Sequence, residues 1–325
     1  MADRSAYGGQ AVIEGVMIRG KERVATAVRM KDGAITVRRE VADALLMRHR
    51  WLRLAFLRGT PALVDSLRLG YRTLMWSADL AMESEGQQKP STLSVVLTLI
   101  VAIGVGIGLF VLLPTWLVNL VPDEHARHAP GSGLLSQFIP SPGAILPNFI
   151  EGVIRVLMLV GYILFIGRMA DIKRVFSYHG AEHKVVNAYE AGAELTVDGA
   201  RGYSRIHPRC GTSFLFLVFI VGILMHALIG WPDNVPLRMA SRLVLLLPVA
   251  GVAYELIRLA GRFRHSWLLK VLVWPGMLLQ RLTTAEPTDD QIEVALQAMR
   301  GVLEDEGMLP PQPAEMPAGE PAPAS

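Results

Sequence analysis

The chain has little charge and almost no cysteine for its length of 325 residues. Charged residues make up 19% of the sequence, whereas a soluble domain is usually about a quarter charged. The single cysteine, Cys210, excludes an intrachain disulfide and fits a reducing compartment. The first residues include Asp3, Arg4 and Glu14 and no apolar run, so we expect no signal peptide.

Two classes of binding protein are disfavoured by what is missing. No Gly-Lys-Ser/Thr follows the glycine-rich segment at 8–20, so this segment is not a phosphate-binding loop. The net charge is only +3, and no basic stripe is interleaved with aromatic residues. We therefore expect no nucleic-acid partner.

Long uncharged stretches are what the sequence does contain. No charged side chain occurs between Ser91 and Pro122, which exceeds the roughly 20 apolar residues that cross a bilayer. The hydropathy pattern predicts four membrane spans, at 92–118, 149–169, 213–230 and 243–259. The second span contains Glu151 and Arg155, whose spacing allows them to pair. The alternative for the second and fourth spans is a pair of buried helices in a soluble protein.

Lysine and arginine alternate between the loops that these spans define. They are frequent in 1–83, 168–212 and 258–282, whereas Arg127 is alone in 119–148 and Arg238 is alone in 231–241. Because cytoplasmic loops carry an excess of these residues, we predict a multi-pass protein with both termini in the cytoplasm.

Shorter patterns lie on the cytoplasmic side. Residues 24–40 alternate around Asp32-Gly33, which predicts a β-hairpin. Residues 60–83 predict an amphipathic interfacial helix, and Pro275-Gly276 predicts that 268–280 is an interfacial or re-entrant turn. Residues 288–305 predict an amphipathic helix that opens with a capping box.

The fold class is therefore a mainly α-helical polytopic membrane protein with about four transmembrane helices, interfacial helices and a small cytoplasmic β-hairpin region. We predict five segments: a glycine-rich and hairpin region (1–50), an interfacial helix (51–90), a four-helix core with a cytoplasmic loop at 170–212 (91–260), an interfacial turn and helix (261–306), and a disordered tail (307–325).

The run SYHGAEHKVVNAYE, at 177–190, carries the most specific chemical signal. On a helix, His179 and His183 lie on one face, where two imidazoles can chelate a divalent metal such as zinc. Glu182 could then act as general base, as in the H-x-x-E-H order of inverse zincins. The alternative is a solvated helix face that carries two ordinary histidines.

A second cluster lies in RGYSRIHPRCGTS, at 201–213. His207 and Cys210 are three residues apart, which suits metal ligands, and Pro208 places them in a loop. The alternatives are a buried thiol and a histidine that binds phosphate or caps a helix. Glu14 and Glu190 are further candidates for a remote ligand, and Glu14 also for a base. The alternative for Glu14, which the sequence alone favours, is a surface glutamate in a glycine-rich loop.

Several motifs in order resemble a known family. The segments GGQAVIEGVMIRG, YHGAEHKVVNAYE, HPRCGTSFL, PGMLLQRLTTAEP and IEVAL are similar to those of the YqhQ-like family of bacterial membrane proteins, over most of residues 7–300. The resemblance implies a bacterial inner-membrane protein. That family is of unknown function and is labelled by motif as predicted metal-dependent enzymes, so the resemblance implies no substrate.

Two functions of different class remain open. The first is a metal-dependent hydrolase at the cytoplasmic face of the membrane, acting on a peptide, a lipid or a membrane-protein segment. Its metal ligands would be His179, His183, His207 and Cys210, and its catalytic residues Glu182 and Glu14. The second is a non-catalytic factor in membrane-protein insertion, assembly or quality control. Convergence of the candidate ligands would favour the first.

Overall fold

A computed structural model describes residues 7–42, 54, 58–84, 86, 90–118, 120, 142–228, 232, 234–262 and 266–310. The described chain is mostly helical and contains one small antiparallel sheet. Most of the predicted outer loop and the predicted disordered tail from residue 311 onward lie outside these residues.

Ten α-helices account for most of the described chain: α1 Gly59–Ser84, α2 Thr92–Ile107, α3 Leu113–Val118, α4 Pro142–Ile166, α5 Ala170–Ala191, α6 Val197–Arg201, α7 Gly211–Ala227, α8 Val235–Arg262, α9 Trp267–Thr283 and α10 Asp289–Asp305. A π-helical turn, Gly108–Leu112, joins α2 to α3. The predicted capping box is confirmed at the start of α10, where Thr288 and Gln291 cap each other.

The sheet has four strands in the order β1-β2-β3-β4, with antiparallel neighbours: β1 Gly8–Val12, β2 Gly15–Arg19, β3 Arg23–Arg29 and β4 Ile35–Val41. The predicted hairpin is confirmed as β3–β4, and Gly33 adopts the left-handed φ of +89° in its turn. The glycine-rich segment supplies β1 and β2, which a two-residue turn at Ile13-Glu14 joins.

Helices cover both faces of this sheet. Strand residues alternate between the faces. One set, which includes Val12 and Met17, packs against α1, and the other, which includes Val16 and Ile18, packs against α5 and α10. The sheet is therefore the middle layer of a helix–sheet–helix unit, and α5 is one of its outer layers.

Three helical stretches are long and apolar enough to cross a membrane: Thr92–Val118, Ala144–Ile166 and Val235–Leu259. The third predicted span, 213–230, corresponds to the shorter apolar helix α7, of 17 residues. Large apolar side chains point outward on the three long stretches, among them Leu93 (78% exposed) and Val244 (72% exposed).

A buried ionic network ties these apolar helices together. The predicted pair of Glu151 and Arg155 forms, and Arg242, which is 1% exposed, places Nη2 3.0 Å from Oε2 of the same carboxylate. Thr115 donates to Oε1 of Glu151 at 2.8 Å, and Arg242 also donates to the side chain of Asn148 at 2.6 Å. One carboxylate thus links α3, α4 and α8.

The predicted break at Pro275-Gly276 is wrong, because α9 continues through both residues to Thr283. A Cβ at Gly276 would lie 2.8 Å from Cα of Ser213. The glycine therefore lets α9 pack closely against the start of α7, and this packing offsets the hydrogen bond that proline removes.

Substituting Glu151→Gln should destabilise the protein by about 3–5 kcal/mol, because two buried guanidinium groups lose their counter-charge. Thermal unfolding in detergent would measure the change. The matched control is Glu255→Gln, which breaks the more exposed pair with Arg58 and should cost less. Equal losses in the two variants would show that the buried network does not hold the helices together.

Candidate functional site

Helix α5 presents the two histidines of the H-x-x-E-H motif side by side. The helix runs through the whole motif and ends at Gly192, whose φ is +78°. The ring centroids of His179 and His183 lie 4.4 Å apart. The predicted arrangement of both imidazoles on one helix face is confirmed.

Cys210 reaches the histidines from the loop before α7, as the position of Pro208 predicted. Its Sγ lies 3.2 Å from Nε2 of His179 and also caps α7, accepting from the Thr212 N–H at 3.5 Å. Ligand atoms of His179, His183 and Cys210 all lie within 4.8 Å of one another.

Backbone carbonyls fix the orientation of both rings. Nδ1 of His179 lies 2.9 Å from the Thr283 carbonyl oxygen, and Nδ1 of His183 lies 2.7 Å from that of Arg205. A carbonyl only accepts, so both Nδ1 atoms carry the proton and each Nε2 presents a lone pair. Nε2 of His183 is buried and makes no hydrogen bond within the described chain. Burial also lowers the pKa of His183, which keeps its ring neutral.

The segment that follows α9 crosses α5 closely and so positions the Thr283 carbonyl. A Cβ at Gly180 would lie 2.1 Å from the carbonyl oxygen of Ala285, so the segment after α9 can lie on α5 only at a glycine. The Ala285 N–H donates to the Phe176 carbonyl at 2.8 Å. This contact holds Thr283 over His179.

Two amide side chains hold the loop that supplies the second carbonyl. Gln280, which is fully buried, accepts from the His207 N–H and donates to the His207 carbonyl, both at 2.8 Å. Asn187 donates to the Ser204 carbonyl at 2.7 Å. Sequence reasoning missed both residues; the only signal was that each lies within a motif shared with the YqhQ-like family.

Glu182 is a buried acid beside this group. It is 3% exposed, and its Oε2 has no hydrogen-bond partner within the described chain. Burial raises the pKa of Glu182, while nearby His179 and His207 and the Gly9 N–H act in the opposite direction. The glycine-rich segment packs against α5 through β1.

The other predicted site residues lie outside the group formed by His179, His183 and Cys210. The ring of His207 is 5.7 Å from that of His183, and its Nε2 lies 3.5 Å from a carboxylate oxygen of Glu190. Glu14 pairs with Arg174 through both oxygens and accepts from the Tyr178 hydroxyl at 3.2 Å. These bonds favour a structural role for Glu14 over the predicted roles of base or ligand.

A cavity of about 670 Å³ opens next to the group. Its lining includes His179, Cys210, Thr212 and the β1 residues from Gly8 to Ala11. Substrate-sized molecules therefore have space beside the converging nitrogen and sulfur atoms.

Comparison with known proteins agrees with the resemblance seen in the sequence. The profile of a family described as "Protein of unknown function (DUF1385)" matches residues 54–305. The chain is also similar to the "Uncharacterized protein YqhQ" of Bacillus subtilis (strain 168). The two are 37% identical over 312 residues, which cover 93% of this chain and 94% of the relative. No solved structure matches the chain.

Substituting Glu182→Gln should stabilise the chelator-treated protein at pH 8 by about 1–3 kcal/mol, the usual cost of an unsatisfied buried polar group. Because the folded pKa of Glu182 is raised above the unfolded value, its contribution to stability is present at low pH and is lost as the pH rises through the folded pKa. The advantage of glutamine, measured by thermal unfolding, should therefore shrink at pH 5.

Glu293→Gln is the control for that measurement. Its side chain is 50% exposed and pairs with Arg29, so the free energy of unfolding should change by less than about 0.5 kcal/mol at either pH. A Glu182→Gln variant that is less stable than the wild type at pH 8 would contradict the expected cost of the buried carboxylate.

Proposed function

We propose that this chain, which belongs to the DUF1385 family of proteins of unknown function, is a membrane-embedded metal-dependent hydrolase whose site faces the cytoplasm. His179, His183 and Cys210 hold a divalent cation such as zinc, and Glu182 is the general base. The observation that carries the proposal is the convergence of three ligand atoms within 4.8 Å.

The donor set suits zinc in number and kind. Two imidazole nitrogens and one thiolate are common zinc ligands, and three protein ligands with one open position are typical of catalytic zinc. Histidines that bind zinc usually donate their other N–H to a carboxylate or a carbonyl. Both imidazoles have such a carbonyl, from Thr283 and Arg205. The lowered pKa of His183 further keeps its Nε2 lone pair available at neutral pH.

Glu182 supplies the proton transfer in this proposal. A bound zinc ion polarises a carbonyl and eases deprotonation of water. A buried carboxyl whose pKa is raised by its burial can take a proton and return it within one turnover. The cavity beside His179 admits the substrate.

Membrane embedding rests on the apolar helices and on charge placement. The three long apolar stretches carry few charges, and the window within Thr92–Val118 has none of its residues buried by the rest of the chain. Such a surface is stable in lipid, and we propose the bacterial inner membrane as its location. Because Cys210 caps the apolar helix α7, the site lies at the membrane surface, on the cytoplasmic side by the positive-inside rule.

Substitutions that remove a single ligand atom should lower the metal content of the protein. His179→Asn and His183→Asn keep a donor for the carbonyl that Nδ1 contacts but remove Nε2, and Cys210→Ser removes the thiol while keeping a good helix cap. Each should lower the zinc bound per chain at least tenfold, measured by mass spectrometry of detergent-purified protein. Glu182→Gln should retain zinc but lose hydrolysis.

His207→Gln is the matched control, because His207 is buried beside the group and its Nε2 faces Glu190. It should retain zinc, and loss of zinc in this variant would make His207 a ligand. A wild-type protein that purifies without metal and folds unchanged in chelator would instead support a non-catalytic factor in membrane-protein insertion, assembly or quality control.

Topology gives an independent test of the membrane placement. A reporter enzyme fused after residue 130 should be active outside the cytoplasm, and one fused after residue 195 should be active inside it. Phosphatase and fluorescence reporters measure the two compartments. The reverse pattern would place the histidine group outside and contradict the proposed location.

A further inference from the structure

The strand β1 is an edge of the sheet, and this edge lies in the cavity beside the candidate metal group. Among the described strands, β1 pairs only with β2. Its residues from Gly8 to Ala11 line the same cavity as His179 and Cys210. Unpaired backbone groups of a strand edge are a template for another extended chain.

The orientation of β1 can be read from one hydrogen bond. In an antiparallel pair, successive residues alternate between bonding the partner strand and pointing away from it. The Arg29 N–H donates to the Glu14 carbonyl, so Glu14 bonds β3 and the next residue, Gly15, bonds β1 at Val12. By alternation from Val12, the backbone groups of Gly9 and Ala11 point away from β2. Gly9 is also exposed, so the edge is open to the cavity at this point.

We propose that the substrate of the site is a polypeptide segment that binds in extended form along β1, which makes the protein a peptidase. This inference rests on the hydrolase function proposed above. Backbone N–H and C=O groups along a strand edge are matched in spacing by another extended backbone. Lipid acyl chains carry no groups that could bond them.

The side chains that share the cavity with β1 set where cleavage occurs. A chain paired with β1 lies beside His179 and Cys210, which line the same cavity. Water adds to the carbonyl carbon of the passing amide while Glu182 accepts its proton. The C–N bond then breaks and the proton passes to the leaving nitrogen. One water is consumed, and the products are a carboxylate and an amine.

Two substitutions separate strand pairing from metal binding. A Cβ at Gly8 meets no atom within 4 Å, so Gly8→Phe puts a ring beside the strand without an internal clash. Ala11→Pro removes an N–H that points away from β2, which an edge strand tolerates. The matched control is Gly202→Phe, since Gly202 also has open space around it but does not line the cavity.

The experiment incubates the zinc-loaded full chain in detergent with a tryptic peptide library from a bacterial lysate, and mass spectrometry counts new termini. The wild type and Gly202→Phe should cleave peptides at similar rates. Gly8→Phe and Ala11→Pro should cleave at least tenfold more slowly with unchanged zinc content. Wild-type rates in both cavity variants would overturn the proposed pairing along β1.

A parallel incubation with vesicles of phosphatidylethanolamine and phosphatidylglycerol distinguishes failure of the polypeptide-substrate inference from failure of the proposed hydrolase function. Hydrolysis of phospholipid without peptide cleavage would overturn the proposal of a polypeptide substrate but would still support a metal-dependent hydrolase. Zinc-loaded protein that cleaves neither substrate also overturns the polypeptide proposal. Failure of the wild type to bind zinc overturns the proposed hydrolase itself.

Discussion

The crossing of residues 283–287 over helix α5 is the contact on which the candidate site depends. Only a glycine at position 180 allows it, because a Cβ there would lie 2.1 Å from a carbonyl oxygen. The crossing brings the Thr283 carbonyl to His179 and fixes the ring. The same segment leads from α9, which packs on α7, to α10, which covers the sheet, so one close approach joins the apolar and sheet layers.

The two buried carboxylates of Glu151 and Glu182 differ in how completely their oxygens are hydrogen-bonded. Oxygens of Glu151 are bonded to two arginines and to Thr115, so its charge is compensated and the helices around it are held together. One oxygen of Glu182 has no partner within the described chain. An incompletely bonded buried carboxyl is costly in a purely structural setting, and such groups are typical of functional sites.

Local sequence signals predicted the parts of the fold that depend on neighbouring residues. The Asp32-Gly33 turn, the capping box at Thr288 and the H-x-x-E-H helix all follow from short-range geometry. Strand β1 was missed because glycine has low strand propensity and packing against α5 stabilises the strand. The group formed with Cys210 was anticipated only as a list of candidates, since the clamp of Gln280 on His207 joins positions 73 residues apart.

The carbonyl bond from Thr283 to His179 also sets when the site can exist during synthesis. The two residues are 104 positions apart along the chain. At about 5–20 residues per second, a ribosome needs about 5–20 s to add that length. A nascent chain therefore exposes the H-x-x-E-H helix for seconds before the segment that orients its first histidine has been made. Any reactivity of the assembled group is thus confined to the finished protein, after the apolar helices have been synthesised.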